Sequence, residues 1–150
     1  MRLSENFSLW ELTKSQVAKR KEIDNTPGEK EIKNLRALCQ KVLQPVRKNY
    51  HVPITPSSGY RSPELNKAIG SSPRSQHTKG QAVDFEVPWI DNRLVARWIR
   101  DNLVFDQLIL EFYEEGDPNS GWIHVSYLDL SIDNRKKAQV FDGRTWKPLD

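Results

Sequence analysis

The chain has 150 residues, a net charge of +3 and 37% hydrophobic residues including five tryptophans, which suffices for one well-packed domain and falls short of two ordinary ones. The densest basic cluster, Arg135-Lys136-Lys137, is too short for a nucleic-acid-binding arm, and no stretch approaches the roughly 18 apolar residues of a membrane span. A lone cysteine, Cys39, excludes an internal disulfide framework, so the fold must rest on its core and on any bound metal.

Met1 to Ser8 lacks the apolar centre of a secretory signal, and synthesis in the cytoplasm is the expectation. Ser8 with Glu11 forms a capping box, and Phe7 with Leu12 a hydrophobic staple. Together they predict a helix from Leu9 to about Lys19. The polar stretch from Arg20 to Gly28 breaks it. A second helix follows, with Ile32, Leu35, Leu38, Cys39, Val42, Leu43 and Val46 at helical spacing; this apolar stripe is core, and Pro45 within it predicts a kink.

Val52 to Ser58 reads as a short strand, and Ser62-Pro63-Glu64 as a helix start with Ser at the N-cap and Pro at the first helical position. Gly70 to Arg74 is a loop that delivers Ser75 and His77. From Ala82 to Val87 the chain alternates, placing Val83, Phe85 and Val87 on one face and Ala82, Asp84 and Glu86 on the other. Asp91 caps a helix whose buried face is Leu94, Val95, Trp98 and Ile99. Phe105 to Phe112 and Trp122 to Tyr127 read as strands of an antiparallel hairpin around a polar loop from Tyr113 to Gly121. Ala138 to Phe141 and Thr145 to Pro148, joined by Asp142-Gly143, predict a terminal hairpin anchored by Trp146.

The chemistry concentrates in Ser75-Gln76-His77-Thr78-Lys79-Gly80-Gln81-Ala82-Val83-Asp84. Imidazole nitrogen and carboxylate oxygen are both good zinc donors, and Gly80 between them lets the chain fold back so that both can meet one ion. Of the three histidines, His51, His77 and His124, the last lies in the strand Trp122-Ile123-His124-Val125. Two imidazoles and one carboxylate leave a coordination position for water, which is the layout of a catalytic zinc. Manganese or iron would accept the same donor types.

The pattern Ser75-x-His77-x-x-Gly80-x-Ala82-x-Asp84, followed by Trp122-Ile123-His124-Val125, resembles the zinc peptidases of the D-alanyl-D-alanine carboxypeptidase group, related to lysostaphin and the hedgehog signalling domain. Ser57 to Asn66 and Phe105 to Glu111 are similar to the segments preceding the two histidines in that family. The resemblance runs from about Asn6 to Tyr127. It implies an α+β fold with helices flanking an antiparallel sheet. The chain length and the residue patterns add the expectation of one domain over residues 1–150: a helical part at 1–50, a metal-site core at 51–127 and a terminal hairpin at 128–150. It also implies one zinc ion per chain on His77, Asp84 and His124, and hydrolysis of bacterial peptidoglycan peptides containing D-amino acids. With no signal peptide, a phage endolysin-like or virion-associated protein is expected, made in the cytoplasm and acting on the cell wall after release. No nucleic-acid partner and no membrane insertion are expected, and the chain should be a monomer. The alternative is a non-enzymatic zinc-bound interaction domain, or a virion structural protein of the same fold.

A zinc peptidase needs a carboxylate to move the proton of the attacking water. Some relatives place it two or three residues before the second histidine, where this chain has Trp122 and Gly121. If Phe112 pairs with Ile123, Glu111 lies opposite His124 on the same face, and the apolar run before it should raise its pKa; the resemblance also favours Glu111. Glu114 and Glu115 are the fallback. Arg61 could pair with Glu64 at the surface, but the resemblance implies that it binds a substrate carboxylate or the oxyanion. Ser75 and Trp122 join Arg61 as candidates for holding substrate.

Overall fold

The computed structural model describes residues 1–150 apart from the side chain of Ser131. It opens with a small ribbon of β1 (Arg2–Ser4) and β2 (Phe7–Ser8), then α1 (Leu9–Thr13) and α2 (Gln16–Arg20). The capping box forms as expected, with Ser8 and Glu11 each satisfying the other's backbone. The helix nevertheless stops at Thr13 rather than continuing to Lys19. Lys14 and Ser15 are extended, and the Ser15 hydroxyl accepts from Ala18 N to start α2. A second N-cap inside the predicted helix offered the backbone an alternative partner, and the break followed.

The long helical stripe is α3 (Glu29–Leu38), a π turn (Cys39–Leu43) and α4 (Gln44–Tyr50). At Pro45 the stripe departs from regular α-helix. The π turn ends two residues before it and widens the backbone where the proline ring and its missing N–H must be accommodated. Cys39 is fully buried in this stripe, and burial pushes its thiol up to about 12. The predicted strand at Val52 to Ser58 is absent apart from a single bridge, Ser58 to Asp84. Pro53 and Pro56 deprive that segment of ladder donors. The segment instead packs by Ile54, which is buried.

After α5 (Pro63–Ala68) and a 3-10 turn (Gln76–Lys79), the main sheet assembles from β3 (Ala82–Phe85), β4 (Gln107–Glu111), β5 (Trp122–Ser126), β6 (Lys137–Phe141) and β7 (Trp146–Pro148), in the order β3-β5-β4-β6-β7. The β3–β5, β4–β5 and β6–β7 pairs are antiparallel, and β4–β6 is parallel. The terminal hairpin thus extends the sheet through one parallel edge. The first hairpin's register puts Leu110 opposite Ile123 and Glu111 opposite Trp122. This is two residues from the expected pairing. Because side chains alternate with period two, Glu111 keeps the face of His124.

Helix α6 (Asn92–Asn102) starts at Asp91 as expected and packs on β4 and β5. Its buried face is Asn92, Val95, Ala96 and Ile99, whereas Leu94 is exposed. The phase set by Asp91 puts positions 92, 95, 96 and 99 on one stripe, and Leu94 falls outside it. Trp146 does not anchor the terminal hairpin. It is 52% exposed and stacks on Phe141 with ring centres 4.3 Å apart. Leu149 does the anchoring, buried in the common hydrophobic cluster with Leu35, Phe85, Ile99 and Leu108.

One buried carboxylate ties these parts together. Asp106, 1% exposed, accepts from Gln76 Nε2 at 2.9 Å, from Arg135 N at 3.1 Å and from Arg135 Nε and Nη2 at 2.9 and 2.8 Å. It joins the 3-10 turn, the start of β4 and the approach to β6. The Arg135 guanidinium holds the Asp106 carboxyl down at about 2, below the ordinary 3.8. A carboxyl depressed in the fold contributes stability above its unfolded pKa, and that contribution fades as pH falls through the folded one. Asp106→Asn should therefore cost about 1 to 2 kcal/mol at pH 7 in urea unfolding. The deficit should shrink as pH is lowered from about 4 to about 2; a deficit constant across that window would remove the linkage.

Candidate metal centre

The three predicted ligands come from two strands and one turn. Ser75 caps the 3-10 turn by accepting from His77 N at 3.2 Å. Gly80 closes the turn at φ 71°, where a Cβ would lie 2.5 Å from the Glu31 carbonyl oxygen. Only glycine permits both the left-handed conformation and that approach to α3. The turn carries His77 under the segment Gly59 to Arg61, where it is 2% exposed and its Nδ1 donates to the Gly59 carbonyl at 2.7 Å. Gly59 itself must approach α1 closely, since a Cβ there would sit 2.3 Å from the Leu12 carbonyl oxygen.

Asp84 and His124 are cross-strand partners on β3 and β5. Asp84 Oδ1 is 2.9 Å from His124 Nδ1, and Asp84 Oδ2 is 3.4 Å from His77 Nε2. The imidazole rings stand edge to face with centres 5.2 Å apart. One ligand atom from each residue lies within 4.8 Å of the others. Burial works against the charge of Asp84, but the hydrogen bond from His124, the nearer imidazole, outweighs it and holds the carboxyl below the usual carboxylate range. Burial also lowers the His77 pKa and favours the neutral ring.

This arrangement fits a cation. A carbonyl oxygen can only accept, so the Gly59 bond places the His77 proton on Nδ1 and leaves a lone pair on Nε2. That lone pair faces the ionised Asp84 oxygen, acceptor against acceptor, in a nearly water-free place. A metal ion between them converts the repulsion into coordination, and the Gly59 carbonyl is the outer partner that orients a ligating histidine. Two imidazoles and a carboxylate suit zinc with a position open to reactants. His51, the third histidine, ends α4 in a left-handed conformation and stays exposed.

Glu111 ends β4 beside Trp122 and is half-buried on the His124 face. Burial raises its pKa and the Asp84 charge adds to this, while His124, Arg61 and a hydrogen bond from Trp122 oppose it. The fallback Glu115 is committed to an ion pair with Arg93 on the surface. Arg61 does not pair with Glu64. Among the described residues its guanidinium donates to neutral oxygens only: Asn66 Oδ1 at 3.2 Å, Ser58 Oγ at 3.4 Å and Ser75 Oγ at 3.3 Å. Burial lowers its pKa, whereas the charges of Asp84 and Glu111 support its protonated form. Ser75 thus both caps the His77 turn and positions Arg61. Trp122 lies against Phe112, with ring centres 5.2 Å apart.

The sequence reading missed the residues that hold this machinery. Asn25 Nδ2 donates to the Thr13 and Tyr60 carbonyls while Asn25 Oδ1 accepts from Ser62 N at 2.7 Å, and Arg61 N donates to the His77 carbonyl at 3.1 Å. Asn66, itself 1% exposed, joins Arg61 to the Ser72 carbonyl. A lone Asn in a polar stretch carries no signal of such a role. The glycine of Ser58-Gly59-Tyr60 did carry one, because a turn glycine also permits a close backbone approach.

A group binding only the folded state stabilises it by about 2.7 kcal/mol at a hundred times its dissociation constant. Added zinc should raise the melting temperature of metal-free protein by several degrees, and His124→Ala should abolish that rise. An equal rise in the variant would remove His124 from the ligand set.

A search of curated proteins finds no match to this chain. The Peptidase M15 family model matches residues 5–126, a span that holds His77, Asp84, His124, Arg61 and Glu111 and ends before the terminal hairpin. The chain therefore belongs to the Peptidase M15 family of zinc metallopeptidases.

Proposed function

We propose that this protein hydrolyses peptide bonds in peptidoglycan stems or cross-bridges containing D-amino acids, in the endolysin-like or virion-associated setting that its sequence resembles. The observation that carries the peptidase reading is the convergence of His77, Asp84 and His124 within 4.8 Å, with a half-buried carboxylate, Glu111, on the neighbouring strand and on the same face as His124. An interaction domain would need the metal cluster alone. It would have no use for a carboxylate of raised pKa and an arginine with neutral partners beside that cluster.

His77 Nε2, the Asp84 carboxylate and His124 Nδ1 would hold zinc, which when bound supplies Lewis acidity toward water and the scissile carbonyl. Glu111 accepts the proton of the attacking water as the new C–O bond forms. It then passes that proton to the amine nitrogen as the C–N bond breaks. Its raised pKa suits both halves of that task, since a stronger base accepts more readily and its acid still donates near neutrality. Arg61 offers its guanidinium to the oxygen that gains charge, or to a carboxylate of the substrate. Ser75, Ser58 and Asn66 fix the plane of that fork before substrate arrives.

The test is incubation of zinc-loaded protein with purified peptidoglycan, with released fragments identified by mass spectrometry. Defined peptides should appear, and Glu111→Gln should lower the rate by about 10² to 10⁴ while zinc content stays at one per chain. Full activity in that variant would remove Glu111 as the base, and no release from walls of several chemotypes would sink the enzyme reading. The rate should also fall on acidification with an apparent pKa above the ordinary 4.5 of glutamate, because the base must be ionised to act.

A further inference from the structure

A groove of about 1060 Å³ lies beside the metal centre without being lined by the three metal ligands. It starts at Ser58 and Arg61 and runs between the α1–α2 corner and the segment Thr55 to Ser58. Its near end is built into the metal centre. Ser58 bridges Asp84, whose backbone N–H donates to the Ser58 carbonyl at 2.8 Å. Arg61 lines the groove while the fields of Asp84 and Glu111 bear on its guanidinium. A chain held across the metal centre can therefore continue past Arg61 into the groove.

The charged residues lining it are Lys14, Lys19 and Arg61, and among the described residues none of its lining groups is acidic. Over the whole chain opposite charges are mixed, with 23 basic and 20 acidic residues, so one-sided lining of a single groove is a local feature. Lys14 Nζ lies over the Trp10 ring, 5.5 Å from its centre, and Trp10 is 69% exposed. A large aromatic ring left open to water on a groove wall is a platform for apolar chain atoms. Cations gathered in a concave wall concentrate anions of matching size.

We propose that this groove is a subsite for an acidic peptide segment, whose free carboxylates meet Lys14 and Lys19 and whose aliphatic carbons lie on Trp10. This rests on the peptidase reading for the direction of the chain, and it names the substrate class more narrowly: peptides whose residues on one side of the cleaved bond carry unblocked carboxyl groups.

The probe is a pair of synthetic tetrapeptides, L-Ala-γ-D-Glu-L-Lys-D-Ala with the glutamyl α-carboxyl either free or amidated. Binding is measured by calorimetry on zinc-loaded Glu111→Gln protein, which takes hydrolysis out of the measurement, and again after adding Lys14→Gln and Lys19→Gln. Thermal unfolding checks that each variant is folded. The free-acid peptide should bind about two- to fivefold more tightly, as the one partly exposed ion pair by which the two peptides differ allows. That preference should weaken with added salt and fall to about one without the lysines. Equal binding of the two peptides, no measurable binding of either, or a preference that survives loss of both lysines would overturn the subsite. Carboxylate-selective binding with no cleavage by wild-type protein would uphold the groove and sink the peptidase reading. Cleavage without carboxylate preference would do the reverse.

Discussion

The hydrogen bond from His77 Nδ1 to the Gly59 carbonyl, 2.7 Å long and buried, is the contact on which the site depends. It fixes which nitrogen of the ring carries the proton, and so which nitrogen faces Asp84. Without it the imidazole could donate from Nε2 to the carboxylate and form an ordinary hydrogen bond needing no metal. With it, the half-buried Asp84 oxygen and the His77 lone pair oppose each other, and the second imidazole, His124, closes the same space. The fold holds this unfavourable arrangement because the elements presenting it are each secured elsewhere.

The securing contacts are short, and two of the three end on backbone carbonyls. Tyr60 N donates to the Leu12 carbonyl at 2.7 Å, Asn34 Nδ2 to the Lys79 carbonyl at 2.9 Å, and Gln76 to the buried Asp106. Helix α3, the α1 corner and β4 therefore all grip the two loops that carry Gly59 and His77. Asp84 and His124 need less help, because direct pairing of β3 with β5 sets their relation by the sheet itself. Arg61 belongs to the gripped part. Its fork is held by Asn66, Ser58 and Ser75, so its charge is aimed without being neutralised.

The candidate donor set was legible because metal chemistry restricts donor types, and because the glycine between His77 and Asp84 signals a fold-back in one short stretch. Glu111 was legible in face but not in register. The pairing differs by two residues from the one expected, a shift to which strand alternation is blind. Local order was misread where two local signals competed. Ser15 offered a second cap within a helical pattern, and Pro53 and Pro56 interrupted what looked like a strand. At Trp146, hydrophobicity suggested burial, and stacking on Phe141 at the surface satisfied it instead.

By itself the sequence determined the short-range facts: the capped starts of α1, α5 and α6, the alternating strand at Asp84, the donor set and the family these imply. Such features depend on neighbours within a turn or a pleat, where residue type and spacing leave few options. Only the tertiary structure decided the parallel docking of β6 on β4, the tautomer of His77, the neutral cradle of Arg61 and the cationic groove beyond it. Each of these joins residues far apart in the chain, and their contacts follow from how buried faces pack rather than from any local pattern.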